Sequence, residues 1–340
     1  MKNRRLSKNI IIFSVLCIVL IISFLLNVGL GSIKISISEI FKVILKKEGS
    51  NQMFSSIIWK IRLPRALASM IGGSALALSG LLLQIFFRNP IVGPFVLGIS
   101  SGATLFVGLT ILAGISFGFS MSSPLFSFFS AFFGSLLVML LVLLVARKVK
   151  NTSTLLIIGL MIGYVCSAIT HFLVTFANKE QLQGFYLWTL GSFSGFTWQK
   201  LKILFFIVMP FLIISFLICK PLNALLLGQN YARSMGVDVK KTRIIIVFLS
   251  SILAAVPTAF SGPISFIGLA VPHIARLSFG TSDNRILIPA AILLGGVVTS
   301  LCDMIARMMF SPVELAISTV TSIIGAPIVI WLLLKRRKNV

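Results

Sequence analysis

Apolar runs dominate the chain, each closed by a short stretch where polar and basic residues gather. Runs over 10–30, 64–87, 91–117, 124–145, 151–176, 201–219, 244–260, 286–308 and 313–334 are continuous rather than alternating. A shorter run covers 266–276. About 20 apolar residues in a helix span a bilayer, and only helices or closed barrels satisfy their backbone there. The pattern therefore predicts an all-α, polytopic integral membrane protein of about ten transmembrane helices, with 1–340 as a single domain. Pro94 is expected to bend or break the third run. The segment 31–60 is amphipathic, with a short surface helix expected over 39–45, and 178–200 reads as a loop. Lys2, Arg4, Arg5 and Lys8 precede the first run, which reads as a retained helix rather than a cleaved leader.

Composition sharpens this picture. The chain is 340 residues long and 57% hydrophobic, with a net charge of +23 and only seven carboxylates. Its mean hydropathy is +1.07. The cations sit in short connections between spans, so they follow the positive-inside pattern and not a nucleic-acid footprint. Arg88, the Arg147–Lys150 stretch, Arg233, Arg243 and Lys335–Lys338 mark the cytoplasmic side, which places both termini in the cytoplasm. Lys34, Lys42, Lys46, Lys47, Lys60, Arg62 and Arg65 fall on the opposite side and need another reason. Cys17, Cys166, Cys219 and Cys302 lack metal-ligand spacing and read as small core residues.

Enzymatic chemistry finds no support. No nucleophile–base pair, metal cluster or paired carboxylate is visible, and no phosphate-binding loop. Energy must come from a partner or an ion gradient. Asp303 and Glu314 are the candidate coupling carboxylates for a gradient, but both sit at the external edge. Asp303 and Arg307, four residues apart, share a helical face and are expected to pair. His171 and His273 read first as structural histidines.

The order-specific stretch 61–103, IRLPRALASMIGGSALALSGLLLQIFFRNPIVGPFVLGISSGA, carries more. It resembles the signature of the FecCD/BtuC-like permease subunits of type II ABC importers, which move iron–siderophore complexes, haem and vitamin B12. Two further segments extend the likeness: Gly262-Pro263-Ile264 through Pro272-His273 to Arg276, and Glu314, Thr321, Gly325, Pro327 and Trp331. Ala316 and Ser318 stand where that family usually has proline and glycine.

The resemblance implies an ABC-importer permease in the cell membrane, serving an iron complex (ferric siderophore, or haem) or vitamin B12. An ion-coupled carrier is the alternative outside the family. Implied partners are a separate ABC ATPase carrying ATP and Mg, an extracytoplasmic substrate-binding protein, a second permease copy or paralogue, and membrane lipid, with no nucleic acid. No cofactor is expected on this chain. A coupling segment over about 222–239 would seat the ATPase through Leu225, Leu226, Gly228, Ala232, Met235 and Gly236. Its mixed polarity, length and flanking charge suit docking better than a plain turn. Thr152 and Ser153 are gate residues by resemblance and helix caps by residue type. Gly159, Gly163, Ser167 and His171 line either the pathway or a packing seam. Arg62, Arg65 and Arg307 would meet acidic residues of the binding protein, for which the planar guanidinium is suited, or else snorkel at the interface.

Overall fold

The computed structural model describes residues 2–31, 33, 35, 39–40, 42–43, 52–114, 124–149 and 152–337. Among them every regular element is a helix. Seven helices are long and apolar enough to cross a membrane, and three shorter apolar helices accompany them.

The first is α1, Lys2–Gly29. Next comes α2, Gln52–Phe87, the hub of the bundle. Its most apolar window is 83% buried, against 11% for α1, so α1 faces outward while α2 is enclosed. The sequence places the start of this helix at Pro64, but it begins twelve residues earlier, at Gln52. A π-helical turn, Ile58–Arg62, makes this possible. Proline has no N–H, and its ring crowds the carbonyl four residues back. The wider turn just before Pro64 absorbs that crowding, and the Leu63 N–H reaches the Ile58 carbonyl instead.

The run over 91–117 is broken, not bent. A 3-10 turn, Pro94–Leu97, is followed by α3, Ile99–Ile111. Gly98 joins them at φ +74°, a left-handed conformation that glycine adopts at little cost. Then follow α4, Pro124–Lys148, and α5, Thr152–Phe176. The expected loop over 178–200 contains a helix, α6, Lys179–Thr189, opened by an Asn178/Gln181 capping box. The sequence carried that capping signal, although its Trp and Tyr content read as interface.

Four helices follow: α7, Trp198–Leu217; α8, Cys219–Leu227; α9, Gln229–Ser234; and α10, Val239–Ser261. The last three are α11, Ile267–Phe279, α12, Asn284–Met308, and α13, Ile317–Arg337. Helix α13 starts four residues later than the apolar pattern suggests, because 313–316 are taken up in a connection anchored by the Leu315 N–H on the Ala306 carbonyl at 2.9 Å. Of the helix expected over 39–45, Glu39, Ile40, Lys42 and Val43 are helical, with Ile40 and Val43 buried. Phe41, Ile44 and Leu45 lie outside the described residues.

Small residues set the spacing. A Cβ at Gly80 would overlap the Gly268 carbonyl, so α2 and α11 touch backbone to backbone. A Cβ at Gly102 would stand 2.7 Å from the Gly134 carbonyl, which does the same for α3 and α4. In lipid, where burial of apolar area gives little drive, such close approach supplies the packing.

Candidate functional site

Polar side chains collect at the two ends of this apolar bundle. One end holds the start of Leu63–Phe87 and the end of α12; we call it the Arg65 end. The other holds the corner after α2 and the α8–α9 segment; we call it the Arg88 end.

At the Arg65 end three arginines turn inward. Arg65 donates from Nε and Nη2 to Asp303 at 3.0–3.2 Å and from Nη1 to Glu314 at 2.9 and 3.1 Å. Asp303 is 1% exposed, whereas the Glu314 side chain is 39% exposed. Arg62 donates to the carbonyls of Val28, Gly29 and Ile33. Arg307 donates to the Asn27 carbonyl at 2.6 Å and to Asn27 Oδ1 at 3.2 Å. The Asn27 amide nitrogen in turn donates to Ser300. Each of these arginines is less than a tenth exposed. Two expectations are thereby corrected. Arg62, Arg65 and Arg307 are not free forks held out to a partner, because buried cations require internal acceptors. Asp303 does not pair with Arg307 but is held by Arg65. Asn27 was missed; a lone amide in the last turn of an apolar run was the available signal.

At the Arg88 end the α8–α9 segment forms a surface knob. Gly228, at φ +131°, separates the two short helices. The second ends in a glycine cap: Gly236 N–H reaches the Arg233 carbonyl and Val237 N–H the Ala232 carbonyl, both at 2.9 Å. Gly236 has φ +80°. The expected docking residues divide by face. Leu225 and Ala232 are buried against the bundle and are core, which corrects their assignment as contacts. Leu226 and Met235 point outward, together with Leu227 and Tyr231, which the sequence reading did not single out. Asp238 then caps α10 by accepting from the Lys241 N–H at 3.1 Å. That backbone donor, with the Lys241 ammonium nearby, holds the Asp238 carboxyl below the usual carboxylate range.

The α8–α9 segment is fastened to its surroundings. Arg88 Nη2 donates to the Leu225 carbonyl at 2.6 Å. Asn223 donates to Asp283 at 2.7 Å and accepts from Asn284 N and Nδ2, each at 2.8 Å. Near the same end, Arg276 donates to Gln84 Oε1 at 2.6 Å, and Gln84 Nε2 donates to the Leu269 carbonyl. The lone glutamine of α2 thus ties α2 to α11.

In α5, Gly159 and Gly163 face the 3-10 turn. A Cβ on Gly98 would lie 3.0 Å from both the Gly159 carbonyl and the Gly163 nitrogen. These two glycines form a packing seam, not a free pathway lining. Ser167 is half-buried and His171 exposed. Ser153 is exposed at the first turn of α5; the Thr152 side chain lies outside the described residues. Among the described residues, no group of three His, Cys, Asp or Glu is placed to hold a metal ion.

With this geometry in view, known proteins can be compared. The profile of the FecCD transport family matches residues 19–335, and the chain belongs to that family. It is 36% identical over 284 residues to the vitamin B12 import system permease protein BtuC of Citrobacter koseri, covering 83% of this chain and 84% of that protein. It is 35% identical over 330 residues to the hemin transport system permease protein HmuU of Yersinia pestis, covering 95% of each. A solved structure described as an inward-facing metal-chelate type ABC transporter superposes with a TM-score of 0.84 at 30% identity, covering 95% of this chain and 99% of that one. The chain is thus a multi-span permease subunit of the type II ABC-importer kind, located in a cell membrane, and not an enzyme.

Proposed function

We propose that this permease imports an iron complex, a ferric siderophore ahead of haem, using ATP bound with Mg on a separate ATPase. The observation that carries the ATP-driven reading is the α8–α9 knob. It exposes Leu226, Leu227, Tyr231 and Met235 at one end of a chain that has no phosphate loop of its own. An exposed apolar patch rimmed by charge marks a protein contact. The Arg88 end is then cytoplasmic, with both termini on that side. Thr152 and Ser153 gate the path there, and His171 and Ser167 face cargo as it passes between two permease copies or paralogues.

Cargo arrives at the Arg65 end from an extracytoplasmic binding protein. Exposed Lys60, Lys179 and Lys202 on that side suit an acidic partner face, which would steer encounter more than it adds affinity. Arg62, Arg65 and Arg307 contribute by fixing the loops beneath that face. The iron-complex reading is supported by the hemin permease relative, which matches along nearly its whole length, and by the metal-chelate transporter structure. Vitamin B12 is the second reading, because several relatives are named as B12 permeases.

The test uses the two outward residues whose loss spares the core. Leu226→Asp together with Leu227→Asp should abolish co-purification with the ATPase encoded beside this chain, while thermal stability in detergent stays unchanged. Full assembly and ATP-driven uptake in that double variant would refute the docking assignment.

A further inference from the structure

The α8–α9 segment is held differently at its two ends. Its upstream half is tied to the core of the bundle: Arg88 of the α2 corner grips the Leu225 carbonyl, and Asn223 is locked to Asp283 and Asn284 at the start of α12. Its downstream half runs through Asp238 directly into α10, and the second turn of α10 carries Arg243. This arginine is 9% exposed. Its Nη1 donates to the Val149 carbonyl at 2.7 Å, and its guanidinium lies 5.5 Å from the centroid of the Phe86 ring.

Val149 directly follows the last residue of α4, and its own N–H closes the final turn on the Val145 carbonyl. The carbonyls of a last helical turn have no partner within the helix and carry its negative dipole end, so a cation from another element is a strong cap there. Thr152, where α5 begins, stands three residues beyond Val149. One side chain therefore joins the helix that leaves the docking segment to the connection that leads into the candidate gate. The Phe86 ring braces the guanidinium from α2, so it has little freedom to slide.

We propose that Arg243 is the positioning residue through which displacement of the α8–α9 segment reaches the α4–α5 connection. The proposal rests on the reading that this segment seats the ATPase and that Ser153 belongs to the gate. It assigns no contact with cargo or nucleotide to Arg243. Tilting the start of α10 would carry the Val149 carbonyl with it, and so the first turn of α5.

The test is made on the permease–ATPase complex in liposomes. A Ser153→Cys reporter is reacted with a membrane-impermeant maleimide with and without ATP. With Arg243 present, ATP should change the labelling rate. Arg243→Met keeps an unbranched side chain over Phe86 and removes the donor. The ATP-dependent change should then shrink roughly ten-fold, while assembly and ATP hydrolysis persist. Arg243→Lys, which restores a cation and a donor, should recover most of it; a merely structural cap would not separate hydrolysis from the gate response in this way. An unchanged ATP response in Arg243→Met overturns the proposal.

A second measurement leaves Arg243 in place. Spin labels at Lys148→Cys and Lys241→Cys, both exposed, should keep one separation in all nucleotide states, while labels at position 153 of two permease copies move relative to each other. A 148–241 separation that changes as much as the 153–153 one also overturns it. Failure of the docking reading would look different: Arg243-intact chains would not bind the ATPase at all.

Discussion

Arg65 and Asp303, 238 positions apart in the chain, meet along a whole edge of the guanidinium, with Nε and Nη2 both on the carboxylate at 3.0–3.2 Å. The opposite edge goes to Glu314. One arginine thereby fastens α2 to α12 and to the connection before α13. The two carboxylates differ in cost, because Asp303 is buried and Glu314 is partly in solvent.

That difference gives the first prediction. Asp303→Asn leaves a buried cation short of charge and should destabilise the protein by about 3–5 kcal/mol. Glu314→Gln touches a partly exposed pair and should cost about 1 kcal/mol or less. Thermal unfolding of the two variants in detergent orders them. Equal losses would mean that the two edges of Arg65 carry the same load, contrary to their burial.

A second prediction concerns backbone contact. Gly80→Ala places a methyl group into the Gly268 carbonyl, and neither helix can yield without moving the other. Yield of folded protein should fall sharply. Gly93→Ala is the control: its Cβ would meet Leu269 at an ordinary 3.8 Å, and its φ of −131° suits any residue. The ratio of monodisperse protein in size-exclusion profiles reads the difference. Similar profiles for both variants would show that α2 and α11 tolerate separation.

The third prediction is a pH dependence. Asp238 is held below the usual carboxylate range, chiefly by the Lys241 N–H. A lowered value in the folded chain means that its contribution is complete above the ordinary carboxylate pKa of about 3.9 and fades as pH falls through the lowered value. Association with the ATPase should therefore show no step from this cap between about pH 5 and pH 8. Asp238→Ala should weaken association throughout that window, measured as the co-purified fraction at each pH. A wild-type midpoint near neutrality that vanishes in Asp238→Ala would contradict the assignment.

How far the chain could be read without coordinates follows from which interactions are local. The number of long apolar spans, the glycine-rich faces of α2 and the docking segment after α7 were legible, because lipid demands continuous apolar helices and close packing demands small residues. The absence of a phosphate loop and the basic connections were legible for the same reason: they are properties of short stretches. The π turn before Pro64 and the helix over Lys179–Thr189 were not foreseen, although the proline and the Asn178/Gln181 capping pair that accompany them were present.

Pairing across the fold was another matter. Helical period correctly put Asp303 and Arg307 on one face, yet it could not choose between Arg307 and Arg65 as the partner of Asp303. Tertiary packing made that choice, because every buried charge needs an acceptor or donor within about 3 Å and the set of candidates exists only once the helices are assembled. The same holds for Asn27 with Arg307, and for Arg243 with Val149. The sequence by itself determined what kind of protein this is and which residues carry charge into the membrane ends; only the tertiary structure decided whether each charge faces a partner outside or a carbonyl within.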